Sequence, residues 1–408
     1  MGNPIKPSSK RNVRLPSITI GGSSRTNEWI SELDDDIYIN QLSIPGTTNS
    51  CGHTSFSNSA TGQSKSLKAQ WAAGVRAFEL RTAGAARTAS FGAFSVVCYD
   101  GGVNLRTSFE SAIDSIYRFV KDTKEFAIVL LSYNAENMSN ILGDLNRFSK
   151  ESWSAPTTRH LTGTSVGIPS VMSGKNADGM IRKDYFVEFK PDLTIRDVRG
   201  QIVLLNMDEF DGYPGALING AESTDVSGAL SVSSNGKDYI STGNWHSLTY
   251  PSGTMENGLY LQNAFDEEYG NEETHVDKQS YIIKADNEAV KLASAEVTNF
   301  PWVINFVGGA GASGNSSTGN YRASAAANNQ FYNEWLTGEM TYNGQKRADG
   351  PTGIVMVSHQ GVEYVTVTTS FLWWSSTRQV KVYGENLPQT IINNNFKFPL
   401  KRKPASAQ

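Results

Sequence analysis

Side chains able to hold an anion or move a proton fall just past a series of short apolar runs. Thr48 and Asn49 follow Ser43-Ile-Pro-Gly-Thr47, which starts like a strand and breaks at Pro-Gly into small polar residues. Glu79 and Arg81 close the run that begins at Val75, and at a spacing of two they point to the same side of a strand. Asp100 follows the run 94–98, Asn134 the run 126–131, Asp208 the run 201–205 and His359 the run 353–357. Carboxylates and an imidazole at one rim can exchange protons with a substrate, and a guanidinium among them can hold an oxyanion. A carboxylate set of Glu79, Asp100 and Asp208 also suits a different hydrolase, for example one acting on glycans.

Other candidates carry weaker chemistry. His53 and Cys51, with Cys98, offer three metal ligands in a spacing that matches no standard site, and a Cys51–Cys98 disulfide in an exported protein is the alternative. No metal and no cofactor is expected. His160, His246 and His275 lie in polar stretches and read as surface residues. The glycine-rich run 308–314 lacks the Lys and following helix of a phosphate loop and reads as a close approach for substrate. The apolar run Phe371-Leu-Trp-Trp374 reads either as a lipid-interface contact or as the buried side of a hairpin.

The elements that must position these residues alternate. Candidate strands at 40–44, 75–80, 94–98, 126–131, 201–205, 302–306 and 353–357 are interleaved with helical stretches at 64–73, 107–121 and 137–149. In the second helix Phe109, Ile113, Ile116, Phe119 and Val120 share one face. This βα alternation predicts an α/β protein of parallel-barrel type, in which substrates meet the carboxyl ends of the strands. Seven strands are one short of eight. Two long polar stretches, 150–195 and 208–277, read as insertions, the second holding the missing strand near 237–241. The expected organisation is a flexible segment over 1–27, a barrel over 28–360, and a C-terminal unit over 361–408. That last unit comprises a hairpin (364–369 with 379–382), a helix (387–394) and a basic tail from 397 that should fray.

Composition narrows the function classes. The 408 residues are 38% hydrophobic and 19% charged, enough apolar material for a large core. A net charge of −4 argues against wrapping nucleic acid across the surface, so no nucleic-acid partner is expected. No apolar stretch approaches the ~20 residues of a membrane span. The polar first 27 residues lack the apolar core of a signal peptide. Because 37 glycines point to long loops, the expected location is secreted or at the cell surface with the signal absent from this chain, a cytoplasmic location staying open.

Several motifs, in order, resemble one family. Trp29-Ile-Ser-Glu-Leu33, Ser43-Ile-Pro-Gly-Thr47, Gly74-Val-Arg-Ala-Phe-Glu-Leu-Arg81, Asp197-Val-Arg-Gly-Gln-Ile-Val-Leu-Leu205 and Trp302-Val-Ile-Asn-Phe306 look like the bacterial phosphatidylinositol-specific phospholipase C family. The resemblance runs from about residue 28 to 360 and implies a distorted TIM barrel with long loop insertions and a short C-terminal hairpin. It also implies cleavage of a phosphodiester by a neighbouring hydroxyl, with one histidine as base and a second as acid. Here Thr48 stands at the first histidine position and Asn49 at the Asp that normally follows it. The second position reads Cys98-Tyr-Asp100-Gly101. In metal-free members an arginine replaces the calcium charge at the position of Arg81, and a third calcium ligand would stand at Asn134, so no calcium is expected. His359 occupies the place of an aspartate that orients the first histidine, and Arg199 reads as structural.

The implied function is a phospholipase C-like protein, impaired in catalysis, that binds a phosphoinositol lipid or another anionic head group and touches a membrane peripherally. Glu79, Arg81, Asn134 and Asp208 would line the substrate site. The alternative is an active phosphodiesterase in which His359 is the base and Asp100 the acid or orienting group around Thr48.

Overall fold

Most of the apolar runs become strands. The computed structural model describes residues 25–54, 61–86, 94–100, 103–133, 168–187, 189–206, 272–294, 302–308, 320–371 and 374–404, with short strand segments between 221 and 262. The main strands are β1 (Ser43–Thr47), β2 (Ala77–Ala86), β3 (Phe94–Asp100), β4 (Val103–Ser108), β5 (Ala127–Tyr133), β6 (Phe186–Val187), β7 (Ile202–Asn206), β8 (Leu259–Gln262), β9 (Trp302–Phe306), β10 (Gly353–Val357), β11 (Tyr364–Phe371) and β12 (Trp374–Lys381). The principal helices are α1 (Leu67–Ala72), α2 (Phe109–Val120), α3 (Glu272–Ser294), α4 (Asn320–Thr337) and α5 (Leu387–Asn394). None of the described helices is long and apolar enough to cross a membrane.

One curled sheet carries the parallel strands in the order β8-β9-β10-β1-β2-β5-β7-β6. Alternation along each strand sorts its side chains to two faces. The inner face gathers Ile44, Ala77, Ile128, Leu130, Val203, Leu205, Ile304, Phe306, Ile354 and Met356, with Trp29 and Phe189 in the same cluster. The outer face packs Phe78, Leu80, Val129 and Leu204 against Trp71 of α1 and Phe109 and Ile113 of α2. Further round, Val355 and Val357 meet Ile283 of α3 and Trp335 of α4. Ser66 and Ser108 cap α1 and α2, each accepting from the backbone N–H three residues on. A buried ion pair, Arg76 to Glu125 at 2.7 Å, ties β2 to the segment before β5.

The structure corrects several boundaries. The first strand is Ser43–Thr47 rather than 40–44, so Pro45-Gly46 lies inside it, and the turn begins at Thr48. Crowding at residue 46 accounts for the glycine: a Cβ there would stand 2.4 Å from Met356 Sδ and 2.9 Å from Ala77 Cβ. The run 94–98 is not a barrel strand. β2 continues past the parallel pairing, and its outer half pairs antiparallel with β3, which folds back onto β4. The strand expected near 237–241 is elsewhere: β8 pairs parallel with β9, while Lys237–Asp238 pairs with Ser233–Ser234, and Ile240–Thr242 runs antiparallel beside β8. Thus β6 and β8 come from the two stretches read as insertions. The helix expected at 137–149 lies outside the described residues.

The C-terminal unit follows its sequence pattern with a longer hairpin, β11 pairing with β12 from Tyr364↔Lys381 to Phe371↔Trp374. The tail does not fray up to residue 404. Lys403 N donates to Asp36 O at 2.8 Å, Lys403 pairs with Asp192, and Arg402 with Asp34. An acidic cluster supplies the basic tail with partners, which the sequence reading did not connect.

Candidate functional site

Glu79 and Arg81 continue the inward row begun by Ala77, and so emerge at the carboxyl ends of the parallel strands. The loop after β1 turns sharply, with Asn49 at φ 45°. That turn lets Asn49 N donate to Glu79 Oε2 at 2.7 Å and Asn49 Nδ2 to Asp100 Oδ2 at 3.1 Å. Arg81 completes the group: Nε donates to Glu79 Oε1 at 2.9 Å, and Nη1 donates to Asp100 Oδ1 and to the Tyr321 hydroxyl, both at 2.8 Å. Tyr321 in turn donates to Asp100 Oδ2 at 2.9 Å.

One guanidinium faces two carboxylates in this group. Burial opposes the Arg81 charge, but Glu79, Tyr321 and Asp100 outweigh it and hold its pKa well above the usual value. Burial raises the Asp100 carboxyl, against the opposing pull of Arg81 and of the Tyr321 hydrogen bond. Burial also raises the Tyr321 phenol well above its usual range, so it stays a hydrogen-bond donor. The Glu79 side chain is 1% exposed and that of Asp100 9%, whereas that of Arg81 is 21% exposed.

The other expected site residues have different partners. Thr48 Oγ1 lies 2.8 Å from Ser358 Oγ, both fully buried where β1 and β10 end. Ser358 extends the inward row of Ile354 and Met356, so His359 leaves on the other side with φ 51°. Its Nδ1 is 2.9 Å from Ser64 Oγ and its backbone N–H donates to Gly62 O, so the ring is held by partners other than Arg81 and Asp100. Burial first, and then the Arg322 charge, lower the imidazole pKa to about 3. Asn134 and Asp208 lie outside the described residues, as do His160, His246 and residues 309–314. His275 lies in α3.

Tyr321 was missed by sequence reasoning. A signal existed: α4 follows β9 as a βα unit, and the first turn of such a helix lies at the carboxyl end of the sheet, as the loops do. Cys51 and Cys98 do not form the disulfide given as the alternative: both thiols are buried and hydrogen-bonded to each other, the bond and then burial raising the Cys98 pKa well above its usual value. No group of three or more metal-ligating side chains occurs among the described residues, so the Cys51, His53 and Cys98 set does not assemble as a metal site. Arg199 spans to Asp35 and to Leu33 O at 3.0 Å, the structural use expected of it.

No family model matches the chain, and no curated protein matches it in sequence. Solved structures do. A pentafluoro-phenylalanine variant of phosphatidylinositol-specific phospholipase C from Staphylococcus aureus superposes with TM-score 0.56 at 16% identity, covering 91% of this chain and 98% of that one. Two further variants of the same enzyme give 0.54 at 15% identity, covering 93% and 98%, and 0.51 at 16%, covering 91% and 99%. The fold is therefore the distorted α/β TIM barrel of the bacterial phosphatidylinositol-specific phospholipase C type.

Proposed function

We propose that this chain is a phospholipase C-like protein whose barrel mouth binds a phosphoinositol or similar anionic polyol head group, with turnover weak or absent. The observation that carries this reading is Arg81, held between Glu79, Asp100 and Tyr321 near the end of the parallel part of β2 and 21% exposed. A guanidinium fits phosphoryl oxygens, and a carboxylate such as Asp100 accepts from the hydroxyls of a polyol. Asn134 and Asp208 are proposed to line the same mouth.

Weak turnover follows from proton bookkeeping. Attack by a neighbouring hydroxyl needs a base and an acid, each worth about 10²–10⁴-fold. Asp100 already accepts from Arg81, Asn49 and Tyr321, and Thr48 is engaged with Ser358. His359, with a pKa of about 3, stays neutral and turned toward Ser64. The proposal also takes residues 28–360 as the barrel and 361–408 as a C-terminal unit. Its hairpin ends at Phe371↔Trp374, an apolar tip suited to peripheral contact with a lipid surface, at the cell surface or after secretion.

The test pairs binding with turnover. Calorimetry with a soluble inositol phosphate should show binding that weakens about tenfold in Arg81→Lys, which keeps the charge but loses the planar fork. Phosphorus NMR of a soluble inositol phosphodiester should show no more than trace cleavage. Robust cleavage abolished by His359→Ala would instead establish an active phosphodiesterase with a rearranged base.

A further inference from the structure

At the base of the C-terminal hairpin a cleft of about 170 Å³ opens between three elements. Asn333 lines it from α4, Glu363, Lys381 and Tyr383 from the two ends of the hairpin, and Glu385 and Asn386 from the lead into α5. Asn333 follows Tyr321 by twelve residues, about 18 Å along the helix axis, so the cleft lies well away from the barrel mouth. Tyr383 sits where a bulky residue is rarely found, at φ 53°. Three backbone bonds hold it there: Val382 N donates to Glu363 O at 2.7 Å, Gly384 N to Val362 O at 2.8 Å and Gly361 N to Gly384 O at 2.7 Å. Backbone strain persists only where the surroundings over-determine it, and ligand clamps are one such place.

The lining offers donors and acceptors together. Thr390 Oγ1 donates to Asn333 Oδ1 at 2.7 Å, which leaves the amide Nδ2 as a donor without a partner among the described residues. Asn386 precedes α5 without capping it through its side chain. The Tyr383 hydroxyl and the Glu385 carboxylate also make no hydrogen bond among the described residues. Charge is matched: Glu363 pairs with Lys381 at 3.1 Å, and Lys65 acts on Glu385, its Nζ 3.0 Å from where a Cβ on Gly361 would stand. Lys381 Nζ also lies 4.7 Å from the centre of the Tyr383 ring. An anion would meet two carboxylates here, and a cation two ammonium groups. A neutral ligand whose groups both donate and accept avoids either repulsion, and hydroxyls are such groups. An aromatic ring beside them gives the C–H side of a sugar an apolar surface. The volume, about six times a water's share of the liquid, suits one such ring.

We propose that this cleft binds a neutral sugar ring, with Glu363 and Glu385 accepting from its hydroxyls, Asn333 and Asn386 donating to them, and Tyr383 lying against its carbon face. The site is separate from the mouth centred on Arg81 and gives the C-terminal unit a carbohydrate ligand of its own. That ring is supplied either by a free sugar or by one unit of a longer glycan.

The test titrates the full chain with D-glucose, D-galactose, D-mannose and N-acetyl-D-glucosamine, each to tens of millimolar, and with a linear tetrasaccharide of each, followed by NMR. At least one sugar should bind and shift the Tyr383 ring resonances. Tyr383→Asn, whose amide side chain tolerates a left-handed backbone, should abolish that binding without lowering the melting temperature. Glu363→Gln removes one acceptor at an exposed ion pair of little weight in stability, and should weaken binding about tenfold. Arg81→Lys should leave binding intact, which separates this site from the mouth. A tetrasaccharide that binds several-fold more tightly than its single sugar marks a glycan, and one that binds no better marks a free sugar. Should Tyr383→Asn lower the melting temperature, Glu363→Gln decides alone. No binding of any of these sugars, or binding that Glu363→Gln leaves unchanged, overturns the proposal.

Discussion

The Tyr321 hydroxyl donates to Asp100 Oδ2 at 2.9 Å while accepting from Arg81 at 2.8 Å, joining residues 221 and 240 positions apart in the chain. A helix from the C-terminal half thereby closes a cluster begun on β2, and the conformation of Arg81 depends on both halves of the barrel.

Removing that hydroxyl should be felt by two buried partners. Tyr321→Phe leaves Arg81 without one acceptor and Asp100 without one donor, at a cost of about 1–3 kcal/mol. Since the Tyr321 bond lowers the Asp100 pKa, its loss should also move that carboxyl further up. Urea unfolding would report the first effect and carboxyl-carbon NMR the second. A variant as stable as the parent would mean that water replaces the phenol without penalty.

Stability should fall as pH drops through the usual histidine range. His359 has a folded pKa of about 3 against 6.5 unfolded. Between these values the unfolded chain binds the extra proton, so this residue's contribution is complete above about 6.5 and declines by up to about 1.4 kcal/mol per pH unit toward 3. Urea midpoints measured from pH 7 to 4 should slope less steeply in His359→Gln than in the parent, and parallel slopes would refute a buried neutral imidazole.

The ion pair beneath the sheet should be costly to break. Arg76 and Glu125 are 0% and 1% exposed, Glu125 also accepts from Ser31 N at 2.8 Å, and the guanidinium stacks on Trp71 at 3.6 Å. Glu125→Gln strands a buried cation and should cost about 3–5 kcal/mol. Chemical denaturation followed by tryptophan fluorescence measures this, and a loss below about 1 kcal/mol would show that the amide satisfies Arg76 as well as the carboxylate does.

Calcium should not bind at Glu79. Its carboxylate accepts from Arg81 and from Asn49 N, and a divalent cation there would face the Arg81 charge at a distance where unit charges repel by about 4 kcal/mol at an effective dielectric near 20. Calorimetric titration with calcium should be flat, and micromolar binding lost in Glu79→Gln would contradict this.

Association with lipid should depend on the end of the C-terminal hairpin. Trp374→Ser, at the last pair of β11 and β12, should lower co-sedimentation with phosphatidylinositol vesicles several-fold while leaving affinity for a soluble inositol phosphate unchanged. Equal losses of both would assign the residue to the stability of the hairpin rather than to the membrane.

The sequence by itself determined the features that rest on local periodicity. Trp302–Phe306 and Gly353–Val357 are short apolar runs bounded by turn residues and form strands with the expected bounds, as Leu387–Asn394 forms the expected helix. A spacing of two placed Glu79 and Arg81 on one face, and strand polarity placed them at the mouth. Only the tertiary structure decided who meets whom. An apolar run such as 94–98 shows that a strand forms but not whether its neighbour is parallel, and Asp100 reaches Arg81 on an antiparallel hairpin rather than at the end of a barrel strand. The four residues of β8 are too few to carry a pattern of their own and become a strand by pairing with β9. His359 shows the limit most directly. Its position in the chain predicts the rim, but backbone alternation gives the inward place to Ser358, and Ser64, 295 residues away in sequence, holds the ring. Hydrogen bonds between residues this far apart are set by the path of the chain in space, which local spacing does not encode.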